Sequence, residues 1–254
     1  MIQRKEITDA LITALIDIDF VQAVWEGGAA AFDRVDEWSD IDVAVIVKDG
    51  MEKETFQIAE DALNKVSPVE LMYEFSQTPW EGHQQIFYRL KNTSKFLLVD
   101  FSIFKESAPD KLLEPEIHNR SKVHFDKTGV TKSYKLVPEI HNKKIRKQIE
   151  TLRVTTEIFG VFIDKELNRG NFIEAIANYY GYSIRPLVIL LRIKYSPEHY
   201  NFSIRYIHYE LPGEIVERLQ NLYFVGSPDD LVKKNEECRN WYFELLKSIT
   251  EIYK

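Results

Sequence analysis

A single cysteine, Cys238, stands in 254 residues. The chain can therefore close no internal disulfide, build no cysteine-rich zinc site and carry no paired-thiol redox motif. The six histidines form neither an HExxH motif nor a closely spaced pair, so zinc-hydrolase chemistry has no support. GxxxxGK(S/T) and GxGxxG are both missing, which excludes P-loop and Rossmann nucleotide binding. Long apolar runs are absent too. The stretch after Met1-Ile2-Gln3-Arg4-Lys5-Glu6 is broken by Asp17, Asp19 and Gln22, too early for a membrane span and too charged for a signal peptide. Positive charge is in deficit: 33 Lys and Arg face 40 Asp and Glu, a formal net charge of -7. Such a chain has no general attraction for nucleic acid or an anionic membrane, so both are disfavoured as partners. A cytoplasmic, reducing compartment is the expectation.

What is present is core-forming material: 44% of residues are hydrophobic and 13% aromatic, enough for one large domain or two modest ones. Apolar spacing predicts a helix over about 5–17, a strand over 20–25, a turn or short helix at 29–31 and a β-branched strand over 41–47. A helix over about 52–65, a strand at 69–75, paired strands at 84–90 and 95–104 and a short strand at 122–125 follow. From Pro138 the pattern becomes helical, over about 138–169, 171–195, 214–223 and 228 to the end, with Pro186 expected to kink or split the second. The fold class expected is α+β: a mixed-sheet domain over residues 1–132, then an all-α domain over 133–254.

The informative segment is Trp25-Glu26-Gly27-Gly28, eleven further residues ending in Trp38-Ser39, and then Asp40-Ile41-Asp42-Val43. Side chains two apart on a strand project to one face, so Asp40 and Asp42 aim at the same point while Ile41 turns to the core. Paired hard oxygen donors suit Mg²⁺, which takes one or two carboxylates and completes its shell with water and substrate phosphates. Gly27 and Gly28 let the backbone approach phosphate oxygens with no Cβ in the way. Asp100, a lone charge inside Phe96-Leu97-Leu98-Val99-Asp100-Phe101-Ser102-Ile103, is costly there unless it faces a metal, water or a cation. Arg89 or Lys95 across the paired strands is the structural alternative for that partner.

These residues resemble the polymerase β-type nucleotidyltransferase superfamily, and most of all its antibiotic-modifying members. There a Gly followed by Gly or Ser precedes, at about this distance, Asp-x-Asp or Asp-x-Glu, and a third Asp lies on a separate strand. The resemblance spans residues 24–104; the helical half is similar only in class. It implies that Asp40, Asp42 and Asp100 are catalytic and bind two Mg²⁺ ions, and that Gly27, Gly28 and Ser39 contact the triphosphate. It also implies that Asp100 or a neighbouring acid activates the acceptor hydroxyl. Gly28 departs from many relatives, which carry Ser there.

The implied activity is transfer of NMP, AMP from ATP being the first expectation and another NTP the alternative, to a hydroxyl of a small-molecule acceptor with release of pyrophosphate. An aminoglycoside-like antibiotic, and hence antibiotic resistance, is the most natural acceptor reading, and a cleft completed by a second subunit of a homodimer is compatible with it. Two other readings share the acidic pair. One is a regulatory, antitoxin-like member that binds a protein without catalysis; the other is a metal-dependent glycosyltransferase, against which Gly27-Gly28 and Asp100 both argue.

Overall fold

In a computed structural model, which describes residues 2–132 and 134–253, the chain forms two compact units that meet in sequence between Leu136 and Val137. The first is a mixed sheet with helices. Helix α1 (Arg4–Leu15) starts where Glu6 reaches back to accept the Gln3 N–H at 2.9 Å, and it buries Ile7, Leu11 and Leu15, one apolar residue per turn. Strand β1 (Val21–Glu26) ends at Gly27, and the single-turn helix α2 (Gly28–Ala31) follows. Then come β2 (Ile41–Val47), α3 (Glu52–Val66), β3 (Val69–Glu74), β4 (His83–Leu90), β5 (Leu98–Lys105), the one-turn α4 (Pro115–His118) and β6 (Lys122–Asp126).

The sheet order is β3-β4-β5-β2-β1-β6, with β2 and β5 parallel and every other pair antiparallel. Period-two alternation divides β2 between two faces. Ile41, Val43, Val45 and Val47 pack on Ile7, Leu11 and Leu15 of α1 and on Phe56, Ala59 and Leu63 of α3. Ala44 and Ile46 join Ala23, Trp25, Phe104 and Leu113 on the opposite face. Asp42 belongs to that second face. Strand β3, at the sheet edge, leaves Leu71, Met72 and Tyr73 exposed.

His83 on β4 lies on the second face against the Phe104 ring, 4.6 Å between centroids, and is 7% exposed, with no hydrogen-bond partner for Nδ1 among the described residues. Burial lowers its pKa from 6.5 to about 4, because charging the ring would strand an ion in an apolar layer. The neutral ring is thus the folded form. The stability it confers is complete above pH 6.5 and is lost as pH falls toward 4, by about 2 kcal/mol at pH 5. Urea midpoints at pH 7 and pH 5 test this: His83→Phe is expected to flatten the fall, and an unchanged fall in the variant would show that other groups set it.

The second unit is helical: α5 (Pro138–Arg169), α6 (Phe172–Tyr179), α7 (Arg185–Tyr195), the one-turn α8 (Ile207–Glu210), α9 (Gly213–Tyr223) and α10 (Pro228–Ile252). Gly170 ends α5 at φ 74°, a left-handed conformation that suits glycine. Between α6 and α7 the residues Tyr180–Ile184 form a π turn, with Arg185 N–H reaching back to Tyr180 O. Pro186 explains this. It has no N–H to give to the preceding turn, so the helix widens there and resumes with Pro186 in its first turn. The core gathers Ile149, Tyr179, Leu187, Leu191, Cys238 and Tyr242. Burial pushes the Cys238 thiol up to about 12, which leaves it unreactive. Among the described residues no helix is long and apolar enough to cross a membrane.

Candidate active site on the central strands

The parallel pairing of β2 with β5 sets Asp42 directly opposite Asp100. Each has a buried neighbour on either side along its strand, Ile41 and Val43 for Asp42, Val99 and Phe101 for Asp100, so both carboxylates emerge on the face away from α1 and α3. Asp100 is held by Gln85 of β4, whose Nε2 donates to Oδ1 at 2.7 Å and to Oδ2 at 2.8 Å, and Ser102 Oγ lies 3.5 Å from Oδ1. Phe87 of β4 stands opposite Asp100. Neither cation considered from sequence serves Asp100 in these contacts: Arg89 Nε donates to Glu70 Oε2 at 3.0 Å, and Lys95 Nζ lies over the Phe96 ring.

Gly28 closes the other side of Asp42. It has φ 50°, and a Cβ built there would overlap the Asp42 carboxylate. The left-handed backbone favours glycine, and a Cβ added here would make the Asp42 carboxylate shift. The departure from Ser at this position therefore has a local cause. Gly27 is tied to the same strand, its N–H donating to Asp42 O at 3.0 Å.

The remaining sequence candidates sit in the loop that leads into β2. Asp40 lies two residues before Asp42, just outside the strand, and its main-chain carbonyl accepts Arg4 Nη1 at 2.5 Å. Ser39 Oγ donates to Asp36 Oδ1 at 2.7 Å and accepts the Asp36 N–H at 3.0 Å, closing a turn that also engages the Trp38 N–H. In this arrangement the Ser39 hydroxyl serves the loop.

Two like charges side by side on neighbouring strands repel each other, which a cation between them relieves. The donor set is a pair: among the described residues no three His, Cys, Asp or Glu side chains are grouped to hold a metal ion. A pair of carboxylates is also what Mg²⁺ takes when phosphate oxygens and water supply the rest of its octahedron. The oxygen chemistry and the glycine beside Asp42 fit that ion.

Sequence reasoning missed two groups. Gln85 sits in a polar stretch, Gln84-Gln85, with nothing local to mark it as the partner of Asp100. Glu26, the last residue of β1, is buried with three nitrogen partners: Arg4 Nη2, Lys122 Nζ and His124 Nε2, each 2.9 Å from its carboxylate. Desolvation raises its pKa, but the hydrogen bonds from His124, Lys122 and Arg4 outweigh it and hold the carboxyl at about 2, well below the ordinary 4.5. A buried carboxylate immediately before Gly27-Gly28 was the available signal; its partners at 4, 122 and 124 lay too far along the chain to be read.

No family model and no curated protein matches the chain. Among solved structures it is similar to an aminoglycoside 6-adenyltransferase from Bacillus subtilis, at 13% identity and TM-score 0.36, covering 99% of this chain and 91% of that one. It is similar also to a spectinomycin adenyltransferase from Enterococcus faecialis, determined with ATP and spectinomycin, at 10% identity and TM-score 0.36, covering 97% of each chain. A third is a STING-associated c-di-GMP synthase from Capnocytophaga granulosa, at 14% identity and TM-score 0.31, covering 96% of this chain and 81% of that one. The chain is thus similar along nearly its whole length to nucleotide-handling enzymes of very low identity, a likeness too loose to assign an activity.

Proposed function

We propose that the chain is a nucleotidyltransferase that moves a nucleoside monophosphate, AMP from ATP, onto a hydroxyl of a small-molecule acceptor. The observation that carries this reading is the register of β2 and β5, which brings Asp42 and Asp100 together beside the Gly27-Gly28 turn. The acceptor oxygen attacks the α-phosphorus, a new P–O bond forms, the bond to pyrophosphate breaks, and the hydroxyl proton passes to a carboxylate or to water.

Asp42 and Asp100 are the residues that would hold Mg²⁺, with Asp40 extending the acidic edge. Bound there, Mg²⁺ supplies charge neutralisation for the triphosphate and the departing pyrophosphate. Gln85 fixes the Asp100 carboxylate through both oxygens, so that its direction is set before substrate arrives. Gly28 gives the Asp42 carboxylate room beside the turn, and the Gly27-Gly28 backbone is the proposed contact for phosphate oxygens. Ser39 contributes by holding the loop that delivers Asp40 to the strand. An aminoglycoside-like acceptor and a second subunit completing the cleft belong to the same reading. They rest on the motif resemblance.

The test is pyrophosphate release with Mg²⁺, each NTP in turn and a panel of hydroxylated acceptors. Asp42→Asn and Asp100→Asn are each expected to lower turnover about 100-fold, the scale of losing one positioned charge-stabilising group. Full activity in both variants would refute the assignment.

A further inference from the structure

Arg4 is the one side chain that touches both segments of the proposed site among the contacts of the Glu26 cluster. It lies in the first turn of α1. Its Nη2 donates to Glu26 Oε2 at 2.9 Å, and its Nη1 to the main-chain carbonyl of Asp40 at 2.5 Å. Glu26 immediately precedes Gly27-Gly28; Asp40 immediately precedes β2 and stands two residues from Asp42. The planar guanidinium presents its donors in a rigid fork, so one group sets the spacing of two backbone segments. Glu26, with a side chain 2% exposed, is itself locked through Oε1 by Lys122 and His124 of β6. A second tie, Gly27 N–H to Asp42 O, closes the same frame.

We propose that Arg4 is a positioning residue for the acidic edge: through the Asp40 carbonyl it sets where Asp40 and Asp42 stand relative to the Gly27-Gly28 turn, and Glu26 orients Arg4 for that task. The inference rests on the nucleotidyltransferase reading of Asp42 and Asp100. It goes beyond it by assigning a role to a residue that meets neither nucleotide nor metal. A simple staple between α1 and β1 needs only the Glu26 contact; the second arm, spent on the carbonyl beside the acidic pair, is what a staple does not explain.

Arg4→Lys separates the two roles, because one ammonium lacks the fork that serves the carboxylate and the carbonyl together. Mn²⁺ binding to the full chain in the presence of ATP, followed by electron paramagnetic resonance, reads the site without turnover. Arg4→Lys is expected to weaken Mn²⁺ about 10-fold, within the range for groups that orient metal ligands, and to lower kcat with a smaller change in KM for ATP. Lys122→Gln removes a different partner of Glu26 and leaves the Asp40 contact intact, so it is expected to change Mn²⁺ affinity less than about 2-fold. Equal affinity in Arg4→Lys and wild type, with loss in Asp42→Asn, overturns the positioning role while leaving the enzyme reading standing. Equal weakening in Arg4→Lys and Lys122→Gln overturns it too, since the whole cluster then acts only as a staple. If Asp42→Asn binds Mn²⁺ as wild type does, the site itself is wrong and the role of Arg4 falls with it. Should Arg4→Lys fail to fold, Glu26→Gln, which keeps a neutral acceptor in place, carries the same readout with an expected loss of about 3-fold.

Discussion

Arg192→Leu is expected to destabilise the helical unit by about 3–5 kcal/mol, the scale of removing one partner from a buried ion pair. Arg192 is fully buried, and Nη1 donates to Glu210 Oε2 at 2.7 Å. Its other donors serve main-chain carbonyls, Nε to Ser203 O at 2.5 Å and Nη2 to Arg205 O, while Nη1 also lies 3.3 Å from Ser196 Oγ. The segment it gathers is irregular, with Ser203 at φ 55° and Tyr206 at φ 60°. Leucine fills part of the volume but leaves Glu210 with His199 Nδ1 at 3.0 Å and strips the two carbonyls of a donor. Urea unfolding followed by Trp241, the single tryptophan of this unit, gives the difference. Adding Glu210→Leu is expected to restore part of the loss, because the second change removes a carboxylate that has lost its guanidinium partner. A midpoint unmoved by Arg192→Leu would mean the pair breaks even with packing alone.

Gly28→Ala is expected to lower the proposed transfer more than Asp42→Asn does, by about 1000-fold, the upper end of what one positioned charge-stabilising group supplies. The isosteric amide keeps an oxygen in place. A methyl at position 28 instead occupies the volume of the Asp42 carboxylate and forces it to turn away. It also adds a Cβ to a residue at φ 50°, a backbone conformation that costs about 1–2 kcal/mol for an ordinary side chain. The two penalties fall on different observables: turnover and Mn²⁺ affinity report the displaced carboxylate, and the melting temperature reports the backbone. The outcome that sinks this account is an alanine variant with full turnover, since it would mean that Asp42 need not stand where it does.

The elements whose patterns are local were legible in the sequence. The strand over Ile41–Val47 and the helix over Pro138–Arg169 have the bounds their periodicity predicts, and Pro186 announces a break whose form, a π turn, follows from its missing N–H. Asp100 could be singled out because a lone charge in an apolar strand is costly. Its partner could not. Whether Arg89, Lys95 or Gln85 meets Asp100 depends on strand register and on the diagonal reach across β4 and β5, and register leaves no mark in composition. The same holds for Glu26, whose three hydrogen-bond partners come from α1 and from β6. Gly28 was legible as a turn residue, whereas its close approach to the Asp42 carboxylate became visible only with Asp42 in place.

The parallel union of β2 with β5 has a consequence for the order of assembly. Parallel neighbours cannot be joined by a tight turn, and here residues 48–97 run through α3, β3 and β4 before the chain returns. The meander of β3, β4 and β5 closes over shorter loops than the seam between β2 and β5, so on loop-closure grounds it is expected to pair first. Gln85 and Asp100 both belong to that meander, whereas Asp42 meets Asp100 only across the seam. The two acids become neighbours only when β2 and β5 pair, so on the proposed reading a fragment ending before residue 98 lacks half of the acidic pair and is expected to bind no Mn²⁺ there.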